Sequence, residues 1–134
     1  MTHTSHNPRQ SYGISLFATL AIGVATQFVE GASLEWIARH LGGTFYVLLW
    51  IFLTLTAFPK WRAPVVCAAA LFATILVECA QLSHPAWLEA IRSTRPGRLL
   101  LGSDYDWMDF PYYGLGYLVG LVWTRCLTGP RLED

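Results

Sequence analysis

Two acidic side chains in this chain lie inside or at the edge of long apolar segments. Glu78 and Gln81 lie near the end of the apolar run 64–82, and Asp109 lies at the start of the run 107–127. A carboxylate in hydrocarbon is energetically unfavourable, so such residues are rare in membrane segments and usually have a partner or a function. Glu78 and Asp109 are therefore the first candidates for chemistry.

Three arginines, Arg92, Arg95 and Arg98, lie in the segment 84–106 that joins the two apolar runs. A guanidinium group binds phosphate or carboxylate groups through paired hydrogen bonds. Carboxylates on two apolar segments, with arginines between them, predict a polar cluster at one membrane face. An anionic lipid headgroup or a lipid-linked cell-envelope ligand would fit that depth.

Three interpretations of this cluster remain open. In the first, which we favour, Glu78 and Asp109 are paired with an arginine or with Tyr113 and hold the joining segment on the helices. In the second, the cluster is a binding or catalytic site, with Glu78 or Asp109 as general acid or base. Its ligand-binding residues would be Gln81, Arg92, Arg95, Arg98 and Tyr113. In the third, the protein is an accessory subunit of a membrane complex, since aromatic residues are typical of partner surfaces.

A stripe of small residues follows Asp109 along the last apolar run. Asp109, Tyr113, Gly116 and Gly120 are spaced at i, i+4, i+7 and i+11, so they share one helix face. Glycines four residues apart allow another helix backbone to approach closely. We therefore expect Gly116 and Gly120 to lie at a helix–helix contact.

Composition favours a small helical membrane protein in a single domain, 1–134. Hydrophobic residues make up 54% of the chain and charged residues 13%, the latter well below the ~25% of an average soluble domain. The net charge of zero predicts no nucleic-acid partner. The cysteines have no metal-ligand spacing, so neither a metal site nor another cofactor is predicted.

The apolar runs predict an all-α integral membrane bundle of four transmembrane helices. The spans cover about 12–29, 44–58, 64–82 and 107–127, with polar tails at 1–11 and 128–134. Short interfacial helices are expected in the first loop, over 33–43 with Gly42 and Gly43 as its stop, and in the third loop, over 85–94. Two starts for the last span are open: Asp106 caps the helix, or Asp109 caps it with Pro111 in the first turn.

Four spans place both termini on one side of the membrane. Lys60, Arg62 and Arg125 lie directly at span ends on that side. Basic residues beside a span favour the cytoplasm. We therefore expect a multi-pass protein of the cell inner membrane with cytoplasmic termini.

The second half of the chain carries a series of short motifs. They are Glu78-Cys-Ala-Gln81-Leu82, His84-Pro85-Ala-Trp87-Leu88, Ile91-Arg92-Ser-Thr-Arg95 and Gly97-Arg98-Leu-Leu-Leu-Gly102, then Trp107-Met-Asp109, Tyr112 or Tyr113, Gly116 and Gly120. This order resembles the DUF2809 family of small bacterial membrane proteins, which has no assigned activity. More distantly, Glu-x-x-Gln and the Asp109 to Gly120 pattern resemble VanZ-like membrane proteins, although Tyr113 stands where those have asparagine. The second resemblance implies a cell-envelope setting.

Overall fold

The computed structural model describes residues 7–101 and 105–129, and all the regular structure in these ranges is helical. The helices in chain order are α1 (Pro8–Ala25), α2 (Ala32–Ala57), α3 (Ala63–Gln81), α4 (Ala86–Arg92), α5 (Arg95–Leu101) and α6 (Asp109–Thr128), with a 3-10 turn, Thr26–Phe28, after α1. The expected all-α class is confirmed for the described residues.

The second helix is longer than the sequence predicts. α2 runs without a break through 33–43, so the separate interfacial helix expected there and the span expected over 44–58 form one helix. Gly42 and Gly43, expected to end a helix, lie inside it. A side-chain carbon on Gly43 would come within 2.9 Å of the Tyr113 ring. This glycine therefore permits close packing against α6 and does not stop α2.

Two of the described helices are long and apolar enough to cross a membrane by length and composition. They are Leu34–Ala57 within α2, with mean hydropathy 1.5, and Ala63–Gln81, which is α3, with mean hydropathy 2.1. On this test the described part of the chain has two candidate spans where the sequence predicts four.

The hydrophobic core is centred on α2. Its fully buried side chains recur on one broad helix face and are Val47, Leu48, Ile51, Phe52 and Leu55. Helices α1, α3 and α6 all pack against α2. The α2 helix is therefore the centre of the bundle, and its packing positions the side chains of α1, α3 and α6.

The bundle has two ends, which we call the head end and the tail end. The head end contains the start of α2, the end of α3, the helices α4 and α5, and the start of α6. There the Thr44 hydroxyl donates to the Tyr112 carbonyl at 2.9 Å, and the Tyr46 hydroxyl donates to the Leu100 carbonyl at 2.6 Å. The tail end joins the start of α1, the α2–α3 loop and the end of α6 around a cavity of about 320 Å³.

The connection between α3 and α6 contains two short helices, α4 and α5, where the sequence predicts one over 85–94. The α6 helix then begins at Asp109, with Met108 at the capping position, so Asp109 is the first helical residue and not the cap. Pro111 falls in the first turn, where its missing N–H has no partner to lose. Asp106 accepts a hydrogen bond from the Met108 N–H at 2.9 Å and so shapes the entry to the helix.

Candidate functional site

Glu78 on α3 is the most deeply buried acidic group among the described residues, with 1% exposure. Its Oε1 accepts a hydrogen bond from the Asp106 backbone N–H at 2.9 Å. Its Oε2 accepts one from the Tyr113 hydroxyl at 2.7 Å. Both oxygens are thus partnered, which is what a buried carboxylate requires. Glu78 links α3 to α6 and to the segment that precedes α6.

The helical period of α3 explains why Glu78 points into the bundle. The buried residues of α3 form one stripe and are Val66, Cys67, Ala70, Thr74, Glu78 and Gln81. Residues three, four and seven apart on a helix share a face. The stripe therefore ends at the head end with its two largest polar side chains, Glu78 and Gln81.

Gln81 attaches α5 to the end of α3. Its Nε2 donates to the Leu101 carbonyl at 2.6 Å. Its Oε1 is buried and has no hydrogen-bond partner among the described residues. Of the Gln81 side chain, which was expected to bind a ligand, the amide nitrogen therefore bonds to α5 and only the amide oxygen has no partner among the described residues.

The Arg92 side chain is also engaged in hydrogen bonds within the protein. It is 6% exposed, and its Nη1 and Nη2 donate to the Ser83 and Ala80 carbonyls at 3.2 and 3.1 Å. Nη1 also lies 3.0 Å from Glu89 Oε1. A cation at these carbonyls complements the negative end of the α3 dipole. Arg92 therefore fastens α4 to the end of α3.

The other two arginines are exposed. Arg95 is the first residue of α5 and Arg98 the fourth, and within the described ranges neither forms an ion pair with Glu78 or Asp109. The three arginines expected to act together thus separate into one buried structural residue and two surface residues. The groups that donate hydrogen bonds to Glu78 are instead the Asp106 N–H and the Tyr113 hydroxyl.

A second group of side chains at the head end was not predicted from the sequence. His40 on α2, Asp106 before α6 and Asp109 on α6 each place one possible ligand atom within 4.8 Å of the other two. His40 is 4% exposed, and its Nε2 lies 3.7 Å from Asp106 Oδ2. Trp36 and Tyr112 lie beside the imidazole, with ring centroids at 4.5 and 5.3 Å.

His40 was missed because its helix was expected to lie apart from the bundle. In the continuous α2, His40 is four residues before Thr44 and seven before Val47, both of which are buried. It therefore lies on the face of α2 that meets α6. The signal available in the sequence was a histidine inside an apolar pattern together with Asp106 and Asp109 three residues apart.

Gly116 and Gly120 lie where α6 crosses α2. A side-chain carbon on Gly116 would come within 2.7 Å of the Thr44 carbonyl oxygen, and one on Gly120 within 2.6 Å of Ile51 Cδ1. At Gly116 an added side chain would meet the α2 backbone, which cannot move easily, whereas at Gly120 it would meet the end of the flexible Ile51 side chain, which would have to shift. This close contact fixes the position of α6 along α2, and with it the positions of Tyr113 and Asp109 relative to α2 and α3.

Fold and site together define a class: a small protein whose regular structure over the described residues is helical, with two candidate membrane-crossing helices and a buried polar cluster at one end of the bundle. The chain belongs to the DUF2809 family, whose members are described as proteins of unknown function, and the match covers residues 32–117. The matched region begins at the first residue of α2 and contains the cluster from His40 to Tyr113. No solved structure matches the chain.

Proposed function

We propose that this protein is a four-span integral membrane protein whose head end carries a fixed polar cluster held together by Glu78. The observation that carries the proposal is an inverted distribution of polarity in α1 and α6. Their buried faces are small or polar, and their outward faces are large and apolar. Lipid, not water, is the solvent that suits such a surface.

The α1 helix shows this inversion most clearly. Its buried residues all carry hydroxyl groups and are Ser11, Tyr12, Ser15 and Thr19. Ile14 is 71% exposed and Phe17 is 75% exposed. A helix in water would bury these two side chains first. Its 18 residues would rise ~27 Å at 1.5 Å per residue, close to the thickness of a bilayer core.

The α6 helix repeats the pattern. Its buried residues are Tyr113, Gly116, Gly120 and Thr124, while Leu118 and Val122 face outward. Small residues inside and branched apolar residues outside are typical of helices that associate in lipid, where close backbone packing replaces hydrophobic burial. This supports α6 as a span although its average hydropathy is lower than that of α2 or α3.

Basic residues directly beside the span ends support one orientation. The basic residues of the described ranges divide evenly between the two ends, with Arg39, Arg92, Arg95 and Arg98 at the head end and Arg9, Lys60, Arg62 and Arg125 at the tail end. At the tail end Lys60, Arg62 and Arg125 lie directly at or beside the ends of the long helices. Basic residues beside span ends favour the cytoplasmic side. We therefore place the tail end, with both termini, in the cytoplasm and the head end on the opposite face of the inner membrane.

Cysteine labelling in whole cells tests the four spans. Cys79 and Cys126 are replaced by alanine, while buried Cys67 is kept. Single cysteines are then placed by Asn7→Cys, Glu30→Cys, Lys60→Cys, Ser93→Cys and Gly129→Cys. We expect a membrane-impermeant maleimide to label the variants at 30 and 93 in intact cells, and those at 7, 60 and 129 only after permeabilisation.

The alternation of the labelled positions is the decisive result. If positions 7 and 30 react from the same side, α1 does not cross the membrane, and the same reasoning applies to 93, 129 and α6. If the alternation holds with the two sides exchanged, the four spans stand and the proposed orientation is wrong.

A second candidate function is binding of anionic lipid headgroups by the exposed arginines of α5. Arg95 and Arg98 are exposed at the head end, and Trp87 and Trp107 in the same connection between α3 and α6 are 66% and 67% exposed. Tryptophan at the headgroup level and arginine beside it are typical of a membrane interface. The contact would be electrostatic and so would depend on lipid charge.

Lipid exchange tests this candidate. The protein in nanodiscs of phosphatidylcholine is titrated with phosphatidylglycerol, and bound lipid is counted by native mass spectrometry. We expect the variant with Arg95→Glu and Arg98→Glu to lose retained phosphatidylglycerol, and Arg62→Glu at the tail end to keep it. Equal retention by both variants would count against the arginines of α5.

A further inference from the structure

We propose that His40, Asp106 and Asp109 form a binding site for a divalent transition-metal ion, of which zinc fits best. The three residues come from α2, from the connection before α6, and from α6 itself. Glu78 is not part of this set, because both of its oxygens accept hydrogen bonds from protein groups. The site would be distinct from the Glu78–Tyr113 contact but adjacent to it.

The tautomer of His40 follows from its hydrogen bond. Nδ1 lies 2.7 Å from the Trp36 carbonyl oxygen. A carbonyl can only accept, so Nδ1 must carry the hydrogen, and in a neutral imidazole Nε2 then holds a lone pair. A histidine that binds a metal through one ring nitrogen almost always donates the other N–H to a carbonyl or carboxylate. His40 is oriented in this way within the bundle.

The Asp106 carboxylate is also oriented by a hydrogen bond to the backbone. Its Oδ1 accepts the Met108 N–H, which leaves Oδ2 directed toward His40 Nε2 at 3.7 Å. This distance is too long for a hydrogen bond. It is close to the ~3.4 Å that separates two ligands of a tetrahedral ion with bonds of ~2.1 Å. The gap between the two atoms is thus the size that a shared ion needs.

One nitrogen lone pair and two carboxyl groups meet at this place, and each of them can donate an electron pair to a cation. The 3.7 Å between His40 Nε2 and Asp106 Oδ2 shows no direct hydrogen bond between these two side chains. An ion held by all three residues would occupy that gap.

One nitrogen and two oxygens select the class of ion. Imidazole suits zinc and other first-row transition metals, whereas magnesium and calcium prefer oxygen ligands alone. Three protein ligands leave a fourth position for water or another ligand. The Asp106 side chain is 45% exposed, so this position can be reached from solvent at the head end.

Zinc binding to the purified full-length chain tests the proposal. The protein carries no polyhistidine tag, and His3 and His6 in the amino-terminal segment are replaced by alanine so that they cannot bind the ion. After treatment with a chelator, the protein in detergent is titrated with Zn²⁺ in competition with a chromogenic chelator. We expect one zinc ion per chain, and a higher melting temperature with zinc than without it. Absence of saturable binding would overturn the proposal.

Variants distinguish the site from adventitious binding. His40→Gln and Asp106→Asn should each weaken zinc binding about tenfold or more. Asp106→Asn keeps an acceptor for the Met108 N–H, so it serves if His40→Gln fails to fold. His84→Gln is the matched control, since His84 is exposed and contacts Glu89. Equal affinity in Asp106→Asn and the His84 control would show that the metal binds elsewhere. The assay needs no membrane, so its result is independent of the four-span proposal.

Discussion

Tyr113 on α6 donates its hydroxyl hydrogen to Glu78 on α3 at 2.7 Å, and both residues are buried. The contact joins two helices at the point where the chain returns from the α4–α5 connection. A hydrogen bond to a buried carboxylate contributes more than one between neutral groups. We therefore expect this contact to contribute measurably to the free energy of unfolding by joining α3 to α6 at the head end.

Replacement of Tyr113 by phenylalanine should remove that contact and leave the ring in place. We expect Tyr113→Phe to lower the free energy of unfolding in detergent by about 1–3 kcal/mol, because Glu78 Oε2 loses its donor. Tyr117→Phe is the control one turn further along α6, where the hydroxyl has no hydrogen bond among the described residues. Denaturation in mixed micelles measures both, and equal losses would argue against the contact.

The crossing of α2 and α6 can be tested with two glycines of the same helix. Gly116→Ala would place a carbon 2.7 Å from the Thr44 carbonyl oxygen, and backbone cannot yield cheaply. We expect a loss of about 1–3 kcal/mol from this overpacking. Gly114 has no atom within 4 Å of the equivalent position, so Gly114→Ala should be neutral or stabilising by ~0.5–1 kcal/mol through helix propensity. Thermal unfolding of the pair provides the comparison.

Arg92 should matter for stability, whereas Arg95 should not. Arg92→Met keeps most of the side-chain volume but removes the donors to Ala80, Ser83 and Glu89. A loss of about 1.5–3 kcal/mol is expected for hydrogen bonds to a charged group. The exposed Arg95→Met variant should stay within ~0.5 kcal/mol of wild type. We also expect limited proteolysis to cut the α4–α5 connection faster in the Arg92→Met variant, in which α4 is no longer attached to α3, and not in the Arg95→Met variant.

Acid should weaken the attachment of α4. Hydrogen bonds from His84 and then Arg92 hold the pKa of the exposed Glu89 carboxyl below its ordinary value of 4.5. A carboxyl with a lower pKa in the folded state stabilises that state above its ordinary pKa, and the contribution is lost as the pH falls through the lowered value. The difference in melting temperature between wild type and Glu89→Gln should therefore shrink as the pH is lowered from about 6 to 3. A constant difference over that range would contradict this account.

The sequence by itself determined the helical class and the family, and it placed Glu78 on one helix face with Gln81. Long apolar runs favour helices because a helix satisfies the backbone hydrogen bonds within the run itself. The period of α3 then places Glu78 and Gln81 on its buried face, and the spacing of Gly116 and Gly120 places them on one face of α6. These are local properties, and local rules are enough to derive them.

Only the tertiary structure decided which groups meet. Gly42 and Gly43 look like a helix stop, yet packing of α6 on Gly43 allows α2 to continue through them. That continuity places His40 beside Asp106, a contact between residues far apart in the chain. Arg92 donates to the carbonyls of Ala80 and Ser83 at the end of α3, and not to an external anion, because the packing of α4 places it there. Contacts of this kind depend on helix crossings, which hydrophobic period and motif spacing do not specify.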